Sequence, residues 1–173
     1  MTNLPGNLFQ SGLLSLILAV VLIPTKSNSE DLGRIYQSDQ QPNPKCENFQ
    51  GHSIGKNPDL NLDIATCDGR TEVWLSRWSD TAANRGWTIV DHLRIGTFDA
   101  NSEYAVTFSP ICVLAKTEQR VHWVAVFNTK VKGKYTHKNG GIVQAWAINL
   151  QTSRFELASK KLLAQVVCLD EEG

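Results

Sequence analysis

The chain lacks the short motifs that would name a chemistry. It has no Gly-x-Ser-x-Gly nucleophile elbow, no glycine-rich phosphate loop and no Rossmann fingerprint. No Cys-x-x-Cys occurs, which removes the usual redox and zinc-ribbon patterns. The four histidines, His52, His92, His122 and His137, are scattered with no HxH or HxxxH spacing. Acidic residues are frequent, but context marks no pair of them as acid and base. The chain also lacks a charge excess: 17 basic residues meet 17 acidic ones. That balance argues against bulk electrostatic binding to nucleic acid or to an anionic membrane. No catalytic residue, metal ligand or cofactor is assigned, and a non-enzymatic role is favoured.

A long apolar run is present, from Gly12 to Ile23. It is too short to span a bilayer comfortably and matches the central region of a secretory signal peptide. Residues 1–10 contain no Lys or Arg, and the first basic residue, Lys26, follows the run. That arrangement would favour the opposite orientation in a retained segment. Ser27-Asn28-Ser29 then places small residues where a signal peptidase reads, so cleavage before Glu30 is expected, with a retained anchor as the alternative. The expected organisation is a signal peptide over 1–29, a flexible polar linker over 30–44 and one β-rich domain over 45–173, secreted or periplasmic and free of the membrane after cleavage. Lys26 is the only charged residue in 1–29, so the remainder carries one more acid than base.

Export makes the four cysteines a disulfide framework. Cys46, Cys67, Cys112 and Cys168 allow three pairings. Cys46–Cys67 with Cys112–Cys168 is favoured, because the first two sit together at the start of the domain. A bridge across a long loop contributes about 3–4 kcal/mol in the chain-entropy model.

From Lys45 onward the punctuation is that of short strands. Leu60, Leu62 and Ile64 alternate up to Cys67, and Asp68-Gly69 is a two-residue hairpin signal. The return strand, Thr71 to Trp78, puts Glu72, Trp74, Ser76 and Trp78 on one face. Trp87 to Ile95 follows, with Trp87, Ile89, Leu93 and Ile95 read as one face and Asp91 among them. Tyr104 to Phe108 and Ile111 to Lys116 are further strands. Val121 to Val131 is apolar on both faces and reads as central. Lys138-Asn139-Gly140-Gly141 is a second turn, before strands at Ile142–Leu150, Arg154–Leu157 and Val166–Leu169. The Ala, Lys and Leu content of Glu156 to Gln165 favours one short helix near the C-terminus. The fold expected is mainly β, a single antiparallel meander forming a sandwich or a small barrel.

Three surface features invite functional readings. Asp59, Asn61 and Asp63 resemble part of a calcium loop, but Ile64 and Arg70 occupy the positions of the turn glycine and the bidentate Glu. The plainer account makes them solvent-facing residues of the strand that buries Leu60, Leu62 and Ile64. Lys130, Lys132, Lys134 and Lys138 cluster, with Tyr135 and His137 beside them. The first three alternate, as on one face of an extended segment, and would suit an acidic protein or a polyanionic glycan. Lysines guarding an exposed strand edge are the plainer account. Five tryptophans are many for this length; Trp74 and Trp78 share a face and would form an aromatic platform if exposed, and core if not. The functional expectation is an exported binding protein that uses the lysine-bearing hairpin or the aromatic face. A barrel carrying a small apolar ligand, with Trp123 and Phe127 lining its cavity, and an exported hydrolase are the alternatives. Oligomeric state is not readable from the sequence.

Overall fold

The computed structural model describes residues 31–37, 40–54, 59–81, 85–96, 103–107, 111–117 and 122–169. The expected signal peptide and its cleavage position lie outside these residues. Twelve strands and one short helix are described: β1 (Ile35–Tyr36), β2 (Glu47–Ser53), β3 (Leu60–Cys67), β4 (Arg70–Asp80), β5 (Arg85–Arg94), β6 (Tyr104–Thr107), β7 (Ile111–Leu114), β8 (Trp123–Asn128), β9 (Lys134–Tyr135), β10 (Ile142–Asn149), β11 (Arg154–Leu157), α1 (Lys160–Leu163) and β12 (Val166–Leu169). The fold is mainly β and antiparallel, with one sheet curled into a half-barrel. No described helix is long and apolar enough to cross a membrane.

The strands form three sheets, ordered β1-β5-β4-β3-β2, β11-β10-β8-β6 and β7-β12-β9. The β3–β4 hairpin closes on Asp68 and Gly69 with φ of 49° and 74°, the left-handed pair that a type I′ turn requires. The helix is brief; Ser159 caps it by accepting the Leu162 N–H on its hydroxyl.

Alternation places the cores. Leu60, Leu62, Ile64, Val73 and Leu75 of the five-stranded sheet meet Val124, Val126, Trp146 and Ile148 of the four-stranded one. The other face of β8, with Trp123, Ala125 and Phe127, packs against Tyr135, Val166 and the Cys112–Cys168 bridge of the three-stranded sheet. The strand β8 is therefore central, with apolar residues on both faces. A third cluster, with Tyr36, Ala65, Trp74, Ile89 and the Cys46–Cys67 bridge, lies on the outer face of the five-stranded sheet. Both disulfides are the pairing favoured from sequence.

Three expectations are corrected. Trp87, Ile89, Leu93 and Ile95 do not share a face: a β-bulge shifts the β4–β5 register between Leu75 and Ser76. Ile89 joins the outer cluster, while Ile95 and Leu93 join the inner one. The stretch read as a linker contributes β1, which pairs with β5, and it buries Tyr36 and Pro42. Asp63 does not face solvent. It is 1% exposed, because this face of β3 lies beneath Tyr36 rather than open to water.

Candidate functional site

The tryptophans divide into two groups. Trp74, Trp123 and Trp146 are buried in the three cores. Trp78 and Trp87 are half-buried. They stand directly opposite each other in the β4–β5 register, edge to face, with ring centroids 5.3 Å apart and planes at 64°. The pair sits near the turn of the longest hairpin. Beyond it Asp80 and Arg85 form an exposed ion pair at 3.2 Å, and the Gln37 side chain donates to the Arg85 carbonyl at 3.0 Å. A pair of rings at an angle, partly open to water and next to a carboxylate and a guanidinium, offers both apolar faces and hydrogen-bonding groups.

Further along the same face the sheet is polar but closed. The Tyr36 hydroxyl donates to Asp63 Oδ2 at 2.5 Å, and the Asn61 amide donates to Asp63 Oδ1 at 2.7 Å. Gly51 of β2 makes room for this carboxylate: a Cβ there would lie 2.9 Å from Asp63 Oδ1. Burial raises the Asp63 carboxyl to about 6, outweighing the two hydrogen bonds that favour its ionised form. Burial, then the neighbouring Asp63 charge, raises the Tyr36 hydroxyl above its ordinary value, so it remains a donor at any ordinary pH.

Beside Asp63, Trp74 stacks on His92 with ring centroids 5.3 Å apart and planes 12° from parallel. The two nitrogens of His92 face two carboxylates: Nε2 meets Glu72, and Nδ1 lies 3.5 Å from Asp31 Oδ2. Arg94 Nε closes the chain on Glu72 Oε1 at 2.9 Å. Two buried atoms on this face, Trp74 Nε1 and Ser76 Oγ, have no hydrogen-bond partner among the described residues. The sequence separates Asp31, Tyr36, Asp63, Glu72 and His92 too widely for any spacing rule to join them. Asp91, the sequence neighbour of His92, points the other way. It accepts the Phe155 N–H at 2.7 Å and so ties β5 to the edge strand β11.

The lysines do not form one extended face. Lys130 lies in a turn in which the Asn128 side chain accepts the Lys130 N–H at 3.0 Å, and its ammonium pairs with Glu103. Gly133, with φ of 73°, bends the chain again before β9. Only Lys134 stands on a strand, opposite Leu169 on β12. Asn139 fixes the following turn by donating to the Lys134 carbonyl at 2.7 Å. Short loop hydrogen bonds have taken over from strand pairing here. Lys132, Lys134 and Lys138 are exposed, whereas Tyr135 is buried edge-on to Phe127. Of the residues selected from sequence, Trp74 and Tyr135 thus belong to cores, Trp78 and all four lysines reach the surface, and no one site unites them. Trp87, passed over as a strand opener, is the residue that completes the aromatic pair.

Among the described residues no group of three or more His, Cys, Asp or Glu is arranged to hold a metal ion. Comparison with protein families, with curated proteins and with solved structures returned no match.

Proposed function

We propose that this is an exported binding protein that seats a sugar ring of a glycan on Trp78 and Trp87. The observation that carries the reading is the partial exposure of this one tryptophan pair, while the other three tryptophans are packed in cores. Stacking against the C–H face of a pyranose suits an aromatic ring, and Asp80 and Arg85 are placed to bond its hydroxyls. Two disulfides fit an extracellular or periplasmic setting. The signal-peptide reading of residues 1–29 supports the same location.

The alternatives have less support. Trp123 and Phe127, the lining of a carrier cavity, are 5% and 4% exposed within a packed cluster. The carboxylates and histidine that a hydrolase would use lie beneath β1 and the residues before it. Lys132, Lys134 and Lys138 keep a second reading in view, a surface for an acidic protein, because they are exposed with no ion pair among the described residues.

The test is titration of the purified protein with neutral and anionic oligosaccharides, followed by tryptophan fluorescence. Binding that weakens at least tenfold in both Trp78→Ala and Trp87→Ala, with Trp78→Phe intermediate, supports the proposal. Binding to none of these probes, or binding unchanged by either alanine variant, overturns it. Binding of anionic probes alone, lost on replacing Lys132, Lys134 and Lys138 by Gln, transfers the site to the lysines.

A further inference from the structure

Residues 31–37 lie as a strap across the edge of the outer face. Backbone pairing holds the strap along the edge of β5: the Gly33 N–H donates to the Ile89 carbonyl at 2.9 Å, the Ile89 N–H donates to the Arg34 carbonyl at 3.0 Å, and Ile35 and Tyr36 pair with Thr88 and Trp87. Side chains add three more attachments: Tyr36 on Asp63, Asp31 near His92 and Gln37 on the Arg85 carbonyl. Tyr36 is paired with Trp87 across β1 and β5. The approach is close: a Cβ on Gly86 would lie 2.7 Å from the Tyr36 carbonyl oxygen. The chain is pinned covalently only further on, at the Cys46–Cys67 bridge. A short edge segment held by a few hydrogen bonds and one buried ring, that of Tyr36, belongs to the low-stability end of a protein's local opening events.

We propose that this strap is a pH-dependent clasp, seated most tightly in acid and looser near neutrality, and that its release uncovers Trp87 and the Asp63–Trp74–His92 face. Asp63 is the group that links seating to pH. Its carboxyl lies at about 6 under the strap, against an ordinary 3.8 in water. A raised value means that the seated state favours the neutral acid. The contribution of Asp63 to seating is therefore complete below about 4 and is lost as the pH rises through about 6. Asp63 meets Tyr36 from β1 and Asn61 from its own strand β3, with Trp74 opposite it on β4; Ser76 lies beside Tyr36, and the charged groups on the same face are Glu72 of β4 and His92 and Arg94 of β5. Gly51 brings no side chain from β2, and Asp31 approaches from the strap itself. Tyr36 stays protonated throughout, and replacing Asp63 alone separates its share from the Glu72–His92–Asp31–Arg94 chain. The effect of release on ligand binding rests on the reading of Trp78 and Trp87 as a site; the clasp does not.

The test is amide hydrogen exchange on the intact, disulfide-bonded protein between pH 4 and 7, corrected for intrinsic rates and needing no ligand. Opening at Gly33 and Ile89 should rise by up to about a hundredfold over this range, the limit set by a shift of two pH units. Asp63→Asn should flatten that rise. Gly86→Ala should leave both amides exchanging fast at every pH, because its Cβ displaces the Tyr36 carbonyl. A flat profile in the natural protein, an undiminished rise in Asp63→Asn, or an unaltered profile in Gly86→Ala would each overturn the clasp.

Discussion

The two faces of the five-stranded sheet are made by the same strands and are both buried, yet they are built on opposite terms. The inner face is Leu60, Leu62, Ile64, Val73 and Leu75. The outer face, one residue out of step, is Asn61, Asp63, Glu72, Trp74, Ser76 and His92. The inner residues need only volume and shape, since apolar burial is non-directional. The outer residues need particular partners: Asp63 requires Tyr36, and Glu72 requires His92 and Arg94. Losing one partner leaves another group stranded out of water, which costs more than the bond itself contributed. The comparison separates two jobs: the inner face supplies stability, and the outer face fixes where the strap sits.

The sharpest way to break the comparison is to remove volume from the inner face. Leu75→Ala should cost about 2–5 kcal/mol, read from urea denaturation, because Leu75 is fully buried between two sheets. Taking one atom from the outer face should cost less. Tyr36→Phe removes the hydroxyl that Asp63 accepts and should cost roughly 1–3 kcal/mol in the same assay. The smallest effect should come from Ser76→Ala. Its buried hydroxyl lies beside the Tyr36 hydroxyl without a well-formed hydrogen bond, so removing it should change stability by less than about 1 kcal/mol. A costly Ser76→Ala would mean that this hydroxyl has a partner and that the outer face is a complete network.

Much of the fold was legible because period-two alternation and turn chemistry are local signals. Leu60, Leu62 and Ile64, the Asp68-Gly69 turn and the two-sided apolar β8 each carry their structure within a few residues. The favoured disulfide pairing agrees for a local reason only at Cys46–Cys67, 21 residues apart; Cys112 and Cys168, 56 apart, meet through the long-range pairing of β7 with β12. The candidate site was less legible. Trp78 could be picked out as part of an aromatic face, but its partner Trp87 depends on the β4–β5 register. The bulge that turns Ile89 outward and Leu93 inward leaves no mark in composition, because it is a property of pairing. Tyr36 stands alone in a polar stretch and forms a strand of two residues, too short for any periodicity. Asp63 looked exposed because alternation reports which face a residue takes, not what covers that face. The lysines alternate in sequence but not in space, because Asn128 and Gly133 bend the chain between them.

The central claim is that the outer face holds the Asp63 carboxyl out of water, whereas the core cluster on the inner face is apolar. The most direct measurement is the difference in unfolding free energy between the natural protein and Asp63→Asn, taken by urea denaturation from pH 3.5 to pH 7.5. Other carboxylates cancel in that difference. With the carboxyl at about 6 in the fold and 3.8 in water, the natural protein should lose about 3 kcal/mol relative to the variant as the pH rises across that interval. A difference that stays flat with pH would show that Asp63 titrates as an ordinary exposed acid, and one that moves in favour of the natural protein would show that the fold stabilises its ionised form; either would contradict the account.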